Sequence, residues 1–207
     1  MAEGNVRPMR RDAQRNGELV LQAARDVLAE FGTVAGMEQI ATRAGVGVGT
    51  VYRHYPSKEA LIDELVRLML DRLVVAAENE FARGDGTGLE AFLRVLGGIM
   101  VEHHGYMERL VERPKTARST VLRGLIGDLL AQAQRAGRIG PDVVIGDIVT
   151  VTWALRGVIA ASGAVAPDAW ERYLDIHLAG LRIAAAATDR PGLTATQLAR
   201  ITHNGQS

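Results

Sequence analysis

Residues 37–61 read MEQIATRAGVGVGTVYRHYPSKEAL, and this stretch decides how the chain around it folds. Ile40, Ala41 and Ala44 share one helical face, and Gly45 ends that segment as a C-terminal glycine of positive φ does. After a short turn, the run from Thr50 to Tyr55 forms a second short helix, which Pro56 cannot continue. Ser57 then caps a third helix whose first turn is Lys58, Glu59, Ala60 and Leu61. Two short helices joined by a glycine turn, the second bearing polar and aromatic side chains, spell a helix-turn-helix.

The spaced pattern Ile40-Ala41, Ala44-Gly45-Val46, Gly49-Thr50-Val51-Tyr52 and Tyr55-Pro56-Ser57-Lys58-Glu59-Ala60-Leu61 resembles the DNA-binding signature of the TetR family of one-component transcription regulators. Upstream, Val20-Leu21-Gln22-Ala23-Ala24 and Val27 to Gly32 are similar to that family's first helix. The signature occupies roughly the first third of the chain; the remainder resembles the family in length and helical character only. Two positions depart from the pattern. Gly47 stands where the family commonly has serine, and Gly36-Met37 replaces a threonine-rich cap, so two hydroxyls that relatives aim at phosphates are missing.

The resemblance implies DNA-binding roles for Val48, Gly49, Thr50, Tyr52, Arg53, His54 and Lys58. Positions equivalent to Thr50, Tyr52, His54 and Lys58 bind the backbone, and those equivalent to Val48, Gly49 and Tyr52 lie against bases. Arg53 is suited either to a guanine or to a phosphate. Val51 and Tyr55 fall on the face turned toward the first helix and are expected to pack.

The 207 residues are 47% hydrophobic with a formal net charge of zero, a length that fits one long domain or a small domain joined to a larger one. Cysteine is absent, which excludes disulfides and thiolate metal sites. No apolar run reaches the ~20 residues of a membrane span. The N-terminus, with Arg7, Arg10 and Arg11, lacks the apolar core of a signal peptide, so a cytoplasmic, nucleoid-associated protein is expected. Positive charge is local rather than global. Arg43, Arg53 and Lys58, with His54, lie in a stretch without a single acid, and Arg7, Arg10, Arg11 and Arg15 crowd the segment before the first helix. No paired-carboxylate, nucleophile-elbow or phosphate-loop motif is present, and Gly45-x-Gly47-x-Gly49 has no strand before it, so no enzyme is expected.

The predicted architecture is all-α. Residues 1–11 are expected as a disordered basic arm, 12–56 as the helix-turn-helix domain, 57–187 as a helical effector-binding and dimerisation domain, and 188–207 as a tail with a short helix at 195–201. A long helix from Ser57 to about Arg83 links the two domains, with Leu61, Leu65, Leu68, Leu70, Leu73, Val74 and Ala77 as its apolar stripe. Further helices are expected over 89–111 with a break at Gly105, 119–136, 142–162 and 168–186, the last two opened by Asp142 and Pro167. Gly97-Gly98 inside a helix is expected to lower stability by roughly 1 kcal/mol each and to mark a bend.

Relatives hold a small hydrophobic effector beside the long helix. The residues here that could line such a pocket are Phe92, Leu96, Met100, Met107, Leu125, Leu129 and Trp153, with His103, His104 and Arg156 supplying polarity. Taken one at a time, each of them is better explained as core filler. His103 and His104 diverge by about 100° on a helix, so no metal is expected, and no cofactor. Relatives also act as two-fold dimers. Trp153, Leu155, Trp170, Tyr173, Leu174, Ile176, Leu178 and Leu181 make the helices at 142–162 and 168–186 the expected interface, closing a four-helix bundle in a homodimer. The expected function is a sequence-specific regulator of transcription: a repressor on a palindromic double-stranded operator, released by the effector. A ligand-sequestering or dimerisation protein and a transcriptional activator are the alternatives.

Overall fold

A computed structural model of the chain describes residues 6–106, 116–182 and 190–204. Met107, one of the expected pocket residues, lies outside them. The chain forms two compact units. The first holds the described residues through Arg67, together with Gly105 and Tyr106; the second holds Leu68–His104, 116–182 and 190–204. Among the described residues there is no strand.

In the first unit, α1 (Val6–Phe31) begins six residues before the expected start, so residues 6–11, expected as part of a disordered arm, are helical. Gly32, at φ +66°, ends it and opens a 3-10 turn, Gly32–Val34. The next helix, α2 (Met37–Ala44), has no hydroxyl at its N-cap. Gln39 replaces it by reaching back, its Oε1 accepting from the Gly36 amide at 2.8 Å. Gly45 at φ +67° closes α2, with the Val46 amide donating to the Ala41 carbonyl at 3.1 Å. α3 (Val48–His54) and the start of α4 (Lys58–Ala82) complete the unit. Ser57 Oγ accepts from the Ala60 amide at 3.1 Å, the cap that the sequence predicts for α4. Val20, Ala24, Val27 and Leu28 of α1 form the core with Ile40, Val51, Leu61 and Leu65.

The second unit takes the rest of α4, then α5 (Gly88–Glu102), α6 (Ala117–Arg135), α7 (Ile145–Ser162), α8 (Ala169–Arg182) and α9 (Ala195–Asn204). α5 is central, packing against α6, α7 and α8. It stops at Glu102, just before the expected break at Gly105, and a 3-10 turn follows at His104–Tyr106. α7 starts later than expected because its cap is Asp147, whose Oδ2 accepts from the Val144 amide at 2.9 Å, and not Asp142. The segment leading into α9 crosses the first turn of α7 so closely that a Cβ on Gly146 would lie 2.2 Å from the Leu193 carbonyl oxygen.

Gly97-Gly98 does not break α5, which runs unbroken through the pair. The two glycines differ. A Cβ on Gly97 would stand 2.2 Å from Cζ3 of Trp170, whereas nothing approaches Gly98 within 4 Å. Gly97 is therefore the notch that admits the Trp170 ring, and Gly98 is incidental. Gly97→Ala is expected to lower stability by about 1–3 kcal/mol through overpacking. Gly98→Ala is expected to raise it by about 0.5–1 kcal/mol. Urea unfolding of the two variants measures both signs.

A candidate DNA-binding interface

α3 is a seven-residue helix held by one side chain. Val51 is fully buried, while Val48 and Tyr52 are 39% and 46% exposed. Gly47 is the N-cap and makes no side-chain bond. Neither Gly47 nor Gly49 has any atom within 4 Å of where a Cβ would stand, so the start of the helix is bare backbone facing open space. Tyr55 packs, as expected: burial pushes its phenol above the ordinary tyrosine range, with the Glu64 carboxylate adding to the effect.

The expected DNA-binding residues do not all point the same way. Val48, Gly49, Tyr52 and Arg53 are exposed together on α3, and Thr50 is half-buried. His54 is half-buried and leans on α1, where a Cβ on Gly17 would lie 3.6 Å from its Nδ1. Lys58 is half-buried as well. Its ammonium donates to the Thr33 carbonyl at 2.7 Å and the Ala35 carbonyl at 3.2 Å, tying the first residue of α4 to the α1–α2 connection. Expected at a phosphate, it is engaged with backbone 23 and 25 residues away. Arg43 is likewise occupied: its guanidinium donates to Glu30 at 2.6 Å, which raises its pKa further. Of the three cations in the acid-free stretch, Arg53 alone is held by a neutral group of its own helix, donating from Nη2 to Thr50 Oγ1 at 3.1 Å.

The residues expected to line an effector pocket divide sharply. Phe92, Leu96, Met100, His103 and Leu129 are buried in the second unit; Leu125, Trp153 and Arg156 are half-buried, and His104 is exposed. Nε2 of the buried His103 lies 3.3 Å from Arg72 Nη1, whose guanidinium also pairs with Glu102 at 2.7 Å. The His104 ring meets the Val101 carbonyl at 2.9 Å. An open groove of about 510 Å3 lies elsewhere, in the first unit, lined by Val27, Phe31, Glu38, Gln39, Thr42 and Arg43. Nothing in the motif reading anticipates it, although the half-exposed Phe31 at the end of α1 is a signal of unfinished packing. Among the described residues no cluster of three or more His, Asp or Glu could hold a metal.

Four of the five residues assigned to a dimer interface are corrected by their burial. Leu155, Trp170, Leu174 and Leu178 are buried within one protomer, at 0, 7, 0 and 2% exposure, and Leu181 is half-buried. Trp170 is committed to the Gly97 notch. The apolar positions left outside on the same helices are Ile176, at 57% exposure, and the small residues Gly157, Ala160, Ala161, Ala179 and Gly180.

A short exposed helix mounted on a two-helix support by a glycine turn defines a helix-turn-helix DNA-binding protein. Comparison with known proteins narrows this. Residues 20–65 match the profile described as bacterial regulatory proteins, tetR family, and residues 85–183 match the C-terminal domain of SbtR-like transcriptional regulators. The HTH-type transcriptional repressor KstR2 of Mycobacterium tuberculosis is 30% identical over 193 residues, covering 81% of this chain and 92% of that protein. The HTH-type transcriptional regulator SAR0097 of Staphylococcus aureus is 34% identical over 82 residues, 39% of this chain, which spans less than half (43%) of that relative. The crystal structure of a TetR transcription regulatory protein from Mycobacterium vanbaalenii is 32% identical, with a TM-score of 0.60, over 84% of this chain and 99% of that one. The chain belongs to the TetR family of transcriptional regulators: it is a transcription factor and not an enzyme. Members of that family bind operator DNA and act as dimers.

Lys58→Met leaves two carbonyls without their donor and is expected to lower thermal stability by about 1–3 kcal/mol. The salt dependence of DNA binding should keep its slope, because a lost phosphate contact would flatten it by about one unit per site. Melting curves and a salt titration read the two effects separately.

Proposed function

We propose that the chain is a repressor that binds a palindromic operator as a homodimer and leaves it when a small apolar molecule enters the second unit. The observation that carries this reading is the exposed face of α3, where Val48, Gly49, Tyr52 and Arg53 stand clear of the core that Val51 anchors. An α-helix of this kind fits the major groove, with apolar groups available to thymine methyls and the bare glycine permitting close approach. The similarity to KstR2, a transcriptional repressor by name, supports the sign of regulation.

Dimerisation is supported by the unfinished faces of α7 and α8. Only five of the eighteen residues of α7 (Gly146, Ile148, Val151, Leu155 and Ile159) are buried in the protomer, although most of its other residues are apolar or small. A second copy laid on Ile176 and the small-residue positions would cover this surface and complete a four-helix bundle. Two recognition helices about 34–36 Å apart then meet successive major grooves.

Release is proposed to run through α4, which is continuous from the first unit into the second. A ligand entering past the half-buried Leu125, Trp153 and Arg156 would meet Phe92, Leu96 and Met100 and favour a state in which the recognition helices no longer match the grooves. A tenfold loss of operator affinity requires about 1.4 kcal/mol of coupling.

Ile176→Glu is expected to give a monomeric mass by light scattering and at least a tenfold weaker shift of DNA upstream of the protein's own gene, with the helical content by circular dichroism kept and the melting temperature lowered by the loss of the partner. A dimeric Ile176→Glu variant with wild-type binding contradicts the interface. Leu174→Glu, by contrast, is expected to unfold the second unit, since it places a charge in the core. In cells, deletion of the gene is expected to raise transcription from the bound promoter; a fall in transcription contradicts repression.

A further inference from the structure

We propose that Arg53 is the residue of α3 that reads a guanine, and that Thr50 acts on specificity by holding Arg53 in place. The inference rests on the regulator reading above and assigns one base to one side chain. Three observations bring it about. Arg53 is exposed and, alone among the cations of its stretch, is engaged by a neutral hydroxyl, the Thr50 Oγ1 at 3.1 Å. Arg43 is paired with Glu30, and Lys58 is drawn to backbone carbonyls. Among the described residues no carboxylate forms an ion pair with Arg53, so its full charge faces outward.

The second observation concerns direction. Helical side chains lean toward the N-terminus, and the Thr50 bond shows Arg53 doing so by nearly a full turn. Its guanidinium is thereby carried from the end of α3 to the first turn, where a recognition helix meets base edges. The third is the space that receives it. Gly49, one turn before Arg53 on the same face, has nothing within 4 Å of where a Cβ would be. No side chain blocks the guanidinium from the floor of the groove.

The bond to Thr50 uses one N–H of Nη2. Four of the five guanidinium donors remain, and two of them form the fork that matches O6 and N7 of guanine. A phosphate contact needs no such orientation. Thr50 is thus a positioning residue: it fixes the plane of the fork before DNA arrives, and its own contact with the backbone is not required.

The test is selection from a random double-stranded DNA pool by the full-length wild-type protein, Arg53→Ala, Thr50→Val and Thr50→Ser, followed by sequencing and salt titration on the selected site. Wild type is expected to select a guanine at one position of each half-site. Arg53→Ala should become degenerate at that pair alone, losing about 5- to 100-fold in discrimination while other positions keep theirs. Thr50→Val should relax the same pair partially, and Thr50→Ser, which keeps the hydroxyl, should restore it. Arg53 is exposed, so its variant should melt with wild type. If Arg53→Ala instead leaves every base preference intact, binds all sequences more weakly and flattens the salt slope by about one unit per half-site, Arg53 is a phosphate ligand and the inference is overturned. If Thr50→Val leaves the pair untouched, the positioning role falls. A wild-type protein that selects no sequence overturns the regulator reading itself, a result separate from either.

Discussion

The ammonium of Lys58 rests on the carbonyls of Thr33 and Ala35, and the geometry of the DNA-binding unit depends on that attachment. The connection between α1 and α2 is a short 3-10 turn whose carbonyls have few helical partners of their own. Lys58 supplies the donors from the first residue of α4. One side chain thus ties the turn between α1 and α2 to the start of the long helix. α3, only seven residues long, could not hold its position by its own hydrogen bonds. It is placed by Val51 in the core and by the two helices whose joint Lys58 secures.

The division of labour among the cations follows from the same geometry. A neutral chain gives a DNA-binding unit little long-range attraction, so recognition has to come from a few placed groups. Arg43 and Lys58 contribute to the frame of the unit; Arg53, held by Thr50, is the cation left facing outward. The same economy shows in the second unit, where Gly97 gives up its side chain to seat Trp170 and so turns inward a residue that would otherwise suit an interface.

Much of the first unit was legible in the sequence because its signals are local. Gly45 and Ser57 act within a few residues of themselves, and both do what their chemistry predicts. The partners of Lys58 were not legible, since they are main-chain carbonyls in a distant turn that no side-chain pattern marks. In the second unit the helices themselves were readable, but not their faces. α7 is apolar nearly all round, so periodicity could not distinguish the side that packs on α5 from the side left uncovered in the protomer. Leu155, Trp170, Leu174 and Leu178 were assigned outward for that reason, and Ile176, in the same pattern, is the one that remains exposed. Start positions moved where a back-reaching acid made the cap: Asp147, and not Asp142, opens α7.

The central claim is that α3 of a two-fold dimer reads DNA sequence. Footprinting of the purified protein on DNA flanking its own gene tests it most directly. One protected stretch is expected, containing an inverted repeat whose half-sites lie about one helical turn, 10–10.5 base pairs, apart or a multiple of it. Protection spread evenly along the fragment, or confined to a sequence without two-fold symmetry, would contradict it.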